Sequence, residues 1–152
     1  MQLNVLREKK AMGLEQLILQ QLKDLQLPNA RFHVELEPFE GNAQGSDKIT
    51  FLVSMNAGER LRPLQATASG GELSRFMLGL KTVFTRLTGI DTIIFDEIDT
   101  GVSGSVAFSL GKKMRQPAQR TQVFCVTHLA SVAACAMQPY VVEKHQEGGH
   151  TE

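Results

Sequence analysis

An excess of either charge is missing from this sequence: 16 Lys and Arg stand against 16 Asp and Glu. A protein that clamps nucleic acid unaided ordinarily carries a basic surplus, so direct electrostatic capture of DNA by this chain is disfavoured. Long apolar runs are missing too, and no stretch approaches the roughly 18 residues of a transmembrane helix. The N-terminus, MQLNVLREKK, has no apolar signal core, so export is not expected. Cysteine is scarce. Cys125 and Cys135 form no CxxC or other ligand spacing, which excludes a structural zinc site and fits reduced, buried thiols in a cytoplasmic protein. Internal repeats and low-complexity tracts are absent. What remains, 152 residues of which 42% are hydrophobic, suits one globular domain with a real core and not a disordered chain. The basic clusters at Arg7, Lys9 and Lys10 and at Lys112, Lys113 and Arg115 read as solvated helix faces.

Residues 1–27 have the period of a helix, with Leu14, Leu17, Ile18, Leu22 and Leu25 on one side and Pro28-Asn29 as the stop. Phe32, Val34 and Leu36 then alternate with polar residues, as do Ile49, Phe51, Val53 and Met55 beyond a polar stretch from Glu40 to Asp47. This pattern predicts an antiparallel hairpin with a long loop. The second half changes character. Leu73, Phe76, Met77, Leu80, Val83, Phe84 and Leu87 predict a helix over 70–88. Ile93-Ile94-Phe95 is a short apolar run suited to a strand buried on both faces of a parallel sheet. A helix over 104–116, a buried strand Gln122–Val126, a short helix 129–137 and a last strand Tyr140–Glu143 follow, with a fraying polar tail from His145. Strands alternating with helices predict an α/β layer beside the hairpin.

Three segments carry chemistry. Ala68-Ser69-Gly70-Gly71-Glu72 precedes the long helix, where Ser69 and Glu72 have the spacing of a capping box. Two successive glycines, which weaken a helix, also allow close approach to backbone N–H groups that suit a phosphate. Capping and phosphate contact both remain open. Thr92-Ile93-Ile94-Phe95-Asp96-Glu97 ends an apolar strand in two carboxylates, where open α/β sheets place their ligands. Such a pair is costly if buried without partners. It suits a magnesium–nucleotide, one acid holding the ion and the other deprotonating water, although a loop-capping pair would look the same. Thr127-His128 follows the next strand, on the same expected sheet edge.

In this order the segments resemble the ATP-binding-cassette ATPases: signature motif, Walker B and switch histidine. Within them the chain is similar to the SMC-like chromosome-maintenance and DNA-repair branch. Glu72 and not Gln follows the glycines, Ile98-Asp99 stands where transporters continue with Pro, and a longer helix fits between Ser69 and Asp96. The stretches ASGGELSR, IIFDEIDTGVSG and QVFCVTHLASVA carry the resemblance, which runs from about residue 14 to 148.

The resemblance implies an ATPase that binds ATP and Mg2+ between two dimerised heads, in DNA double-strand-break repair and recombination. It implies that Ser69, Gly70, Gly71 and Glu72 meet a nucleotide held by the second head. Asp96 would support the metal, Glu97 would be the general base, and His128 would sense the γ-phosphate. Gly101 to Gly104 would form the D-loop, with Ser103 where an Asp is usual. One required part is missing. A Walker A loop reads GxxxxGK[ST], yet before Gly111-Lys112 stands Val106 and after it Lys113. SMC-like heads are split by a coiled coil, and the expectation is a C-terminal half: residues 1–27 as the coiled-coil end and 28–152 as the lobe. Its expected partners are the N-terminal half bearing Walker A, a second head, and DNA through the full-length protein, in the cytoplasm at the nucleoid. Alone it should be inactive. Alternatives are another SMC-like ATPase or a non-catalytic interaction module.

Overall fold

The computed structural model describes residues 2–67, 70–143, 146–147 and 150–151. Helix α1 (Gln2–Asp24) places Ile18 and Leu22 in the core, while Leu17 stays 41% exposed. It stops before the proline. The N–H of Leu27 donates to the Leu22 carbonyl (2.9 Å) and that of Gln26 to Lys23 (3.1 Å), with Gln26 at φ 59°, a left-handed helix cap.

Strands β1 (Arg31–Asn42) and β2 (Gly45–Ser54) pair antiparallel, from Arg31 opposite Ser54 to Pro38 opposite Asp47. The long loop expected at 40–47 is instead a continuation of the ladder, closed by Asn42 opposite Gly45 after a register shift. Two contacts account for this. Asp47 is gripped by Arg7 (2.8 Å) and Asn4 (2.7 Å) of α1, and the Asn42 carboxamide accepts the Gln44 N–H (2.8 Å) across the tip. Glu15 ties α1 to the sheet lower down, accepting the Val34 N–H (2.8 Å). A two-residue strand, β3 (Arg62–Pro63), adds to β2.

Helix α2 (Gly71–Thr88) lies between two cores. Phe76, Leu80 and Val83 join Ile18, Leu22, Phe32, Val34 and Val53 on the hairpin side. Leu78 joins Phe95, Ile98, Val102, Leu110 and Val132 on the other. That second core belongs to the parallel pair β4 (Thr92–Phe95) and β5 (Gln122–Cys125), with helix α3 (Gly104–Met114) between them in sequence. Strand, helix, parallel strand is the α/β unit that the pattern predicts.

Among the described residues the α/β layer has two strands, paired parallel, and the antiparallel sheet built on the hairpin has three. Four expectations need correction. β4 and β5 are covered on one face only, since Ile94 is 61% and Phe124 50% exposed. Tyr140–Glu143 forms no strand. Tyr140, Val141 and Val142 lie open to solvent, and alternation alone makes no ladder without a neighbour to pair with. The helix expected at 129–137 shrinks to α4 (Ala130–Ala133). Lys113 also leaves the solvated face assigned to it: its ammonium is buried 2.6 Å from Asp24 Oδ2, joining α3 to the end of α1. In the tail, β6 (Gln146–Glu147) pairs with β7 (His150–Thr151). No helix among the described residues is long and apolar enough to cross a membrane.

Candidate nucleotide site

The parallel register sets the site. Phe95 pairs with Cys125, and the Val126 N–H donates to the Phe95 carbonyl (2.9 Å), so both strands run out together. Asp96 and Glu97 leave the end of β4, and Thr127 and His128 leave the end of β5. Open α/β sheets bind ligands at this edge.

Both acids are exposed, and neither has a hydrogen-bond or ion-pair partner among the described residues. The cost that burial would impose therefore does not arise, since both carboxylates are open to solvent. Glu97 has φ 52°, left-handed backbone that side chains other than Gly rarely adopt. The chain reverses there, the Thr100 N–H donating to the Glu97 carbonyl (3.3 Å) and the Val102 N–H to Asp99 (3.0 Å).

Asp99 is the residue that sequence reasoning missed. Its carboxylate is fully buried; Oδ2 accepts the Thr127 hydroxyl, and Oδ1 lies 3.4 Å from Nδ1 of His128. The Thr127 hydroxyl oxygen accepts the Leu129 N–H (3.1 Å), which turns its proton toward Asp99. One buried acid thus joins the two strand ends. His128 itself is 69% exposed. Beside them the Cys125 thiol is pushed up to about 11, first by partial burial and then by the charges of Asp99 and Asp96. It remains a neutral thiol at physiological pH.

The glycine-rich turn corrects the capping-box idea. Gly70 is the N-cap of α2 at φ 170°, an extended conformation, with no side-chain cap. Its carbonyl accepts the Ser74 N–H (3.0 Å). Ser69 and Ala68 lie outside the described residues. The two glycines have different reasons. Gly70 faces open space, whereas a Cβ on Gly71 would sit 2.9 Å from the Gly101 carbonyl oxygen. Gly71 is thus fixed by close packing against the Gly101–Gly104 turn, itself at φ 70° and 58° at those two glycines. Ser103 is the N-cap of α3 without a side-chain bond, and Glu72 is half-buried in the first turn of α2. Arg75 reaches back from the same turn to the carbonyls of Leu25 (3.3 Å) and Gln26 (3.4 Å).

Cavities elsewhere among the described residues include one of about 430 Å³ between Arg7, Phe39 and Lys48 and one of about 200 Å³ between Leu17, Val83 and Arg120. Neither touches the acids, and no group of three metal-ligating side chains exists among the described residues. A magnesium ion that takes one carboxylate and completes its shell from phosphates and water still fits Asp96.

No family model matches the chain. Sequence comparison decides more: over 144 residues, 94% of its length, the chain is 45% identical to the DNA repair protein RecN of Synechocystis sp.. The chain is similar to RecN. It spans about a quarter of that relative's length, 25%. Its fold is that of SMC head domains. The Smc head with coiled coil and joint from Pyrococcus yayanosii superposes with TM-score 0.72 at 18% identity, covering 96% of this chain and 26% of that one. An SMC ATPase solved in work on ATP-driven dimerization and DNA-stimulated activation superposes at TM-score 0.63 and 16% identity, covering 97% of this chain and 85% of that one.

Proposed function

We propose that this chain is the C-terminal part of an SMC-like, RecN-type ATPase head that binds and hydrolyses ATP between two engaged heads in DNA double-strand-break repair and recombination. The observation that carries this reading is the shared edge of β4 and β5, where Asp96 and Glu97 leave one strand with their carboxylates unpaired among the described residues and His128 follows the other.

In that head the Glu97 carboxylate, which has no ion pair among the described residues, takes the proton of the attacking water. Asp96 would hold Mg2+, which would offset charge on the phosphates. His128 meets the γ-phosphate of the same nucleotide. Ser69, Gly70, Gly71 and Glu72 face the nucleotide of the opposing head, and the open space around Gly70 leaves room for such an approach. Gly101 and Ser103 line the crossing between heads, and the packing of Gly101 against Gly71 joins the signature to the crossing turn.

The other half of the head brings the Walker A loop. The bare face carrying Ile94, Phe124 and Val126 supports this, because exposed apolar residues at adjacent positions ordinarily mark a covered surface. Residues 1–27 form the end of a coiled coil, and DNA contact belongs to the full-length protein in the cytoplasm, at the nucleoid. The chain alone is inactive. Titration of the isolated chain with Mg-ATP tests this: no heat of binding is expected at micromolar concentration, and a saturable micromolar site would overturn the split-head reading.

A further inference from the structure

We propose that Asp99 is a positioning residue for His128: it holds the imidazole by Nδ1–H and so turns Nε2 outward to the nucleotide. This rests on the function proposed above and adds a residue to it.

Three observations carry the inference. Asp99 is fully buried on a loop whose neighbouring acids, Asp96 and Glu97, are exposed. An ionised carboxylate in such a place is costly unless its oxygens are used. One of them is used, by Thr127. The other, Oδ1, is buried and has no hydrogen bond among the described residues, yet it faces His128 Nδ1 at 3.4 Å, slightly longer than a settled N–H···O bond. The imidazole faces it, and because the acceptor is a carboxylate oxygen, Nδ1 satisfies it when it carries the proton. A small closing movement of His128 completes the bond.

The second nitrogen of a histidine held this way has its role set by the first. With Nδ1 committed to Asp99, Nε2 is the nitrogen left for the solvent side, where the ring is largely exposed. Thr127 fixes the carboxylate rotamer, and the Leu129 N–H fixes Thr127. The result is a chain of four groups, from backbone through hydroxyl and carboxylate to imidazole, that joins both strand ends and leaves the ring little freedom to turn.

The test uses a complete head, formed from this chain and a Walker A-bearing half, with nitrogen NMR of His128 in parallel. Asp99→Asn keeps shape and the Thr127 bond but presents an amide N–H to Nδ1. The expected results are a kcat lowered at least tenfold, an ATP KM changed less than threefold, and a switch of His128 from the Nδ1–H to the Nε2–H tautomer. Should the variant fail to fold, the wild-type tautomer decides alone: protonated Nδ1 supports the inference and bare Nδ1 overturns it. Glu97→Gln separates the two levels. If it abolishes hydrolysis while Asp99→Asn leaves kcat unchanged, the positioning role is wrong and the ATPase reading stands. If Glu97→Gln retains full activity, the assignment of Glu97 as the base fails; if the assembled wild-type head hydrolyses no ATP, the ATPase reading itself fails.

Discussion

Replacing Gly71 by alanine should destabilise this protein, although glycine-to-alanine changes in helices usually do the opposite. In a helix interior the gain is roughly 0.5–1 kcal/mol, and it is smaller in a first turn. Against it stands a Cβ placed 2.9 Å from the Gly101 carbonyl oxygen and 3.2 Å from both the Gly101 carbonyl carbon and the Thr100 oxygen. These are backbone atoms of a turn pinned by hydrogen bonds to Glu97 and Asp99, so they cannot swing aside as a side-chain tip would. Overpacking of this kind costs about 1–3 kcal/mol. The net expectation is a loss of about 1–2 kcal/mol, or a fall in Tm of about 2–8 °C at this chain length. Gly70→Ser is the internal control, because a Cβ there would meet nothing within 4 Å among the described residues beyond its chain neighbours, and serine is a favoured N-cap. It should stay within about 0.5 kcal/mol of the parent. Urea unfolding of the three chains measures both. A Gly71→Ala variant as stable as its parent would refute the packing argument and return the second glycine to ligand approach alone.

Two further predictions concern charge. Asp24→Asn strands the buried Lys113 ammonium and should cost about 1–3 kcal/mol in urea unfolding, less than a fully buried pair because Asp24 is half exposed. Lys113→Met should cost less than that; the reverse order would show that the pair is not what makes Asp24 matter. Arg7, then Asn4, holds the Asp47 carboxyl below the ordinary carboxylate range. Its contribution is therefore present above the unfolded value near 4 and is lost as pH falls through the lower folded value. Thermal unfolding against pH should show this acid loss, and Asp47→Asn should flatten it; an unchanged slope would remove Asp47 from the account.

What the sequence displayed, and what it hid, divides by range. The 3.6-residue period of Phe76, Leu80 and Val83 and the alternation of Phe32, Val34, Phe51 and Val53 arise from local geometry, so α2 and the hairpin could be read directly. Asp96, Glu97 and His128 were legible because strand ends in an α/β unit share an edge. Asp99 was hidden, since its meaning lies in burial against Thr127 and His128 on another strand. The packing of Gly71 was hidden for the same reason: its neighbour is the turn at Gly101, thirty positions on. Tyr140–Val142 erred in the other direction, a good strand pattern with no strand beside it.

The central claim meets its most direct test in ATP hydrolysis by this chain mixed with the Walker A-bearing half of a matching head. The account predicts activity in the mixture only, lost by about 10²–10⁴-fold when Glu97→Gln removes the proton acceptor. A folded, assembled complex without ATPase activity, or one whose activity survives Glu97→Gln, would contradict it.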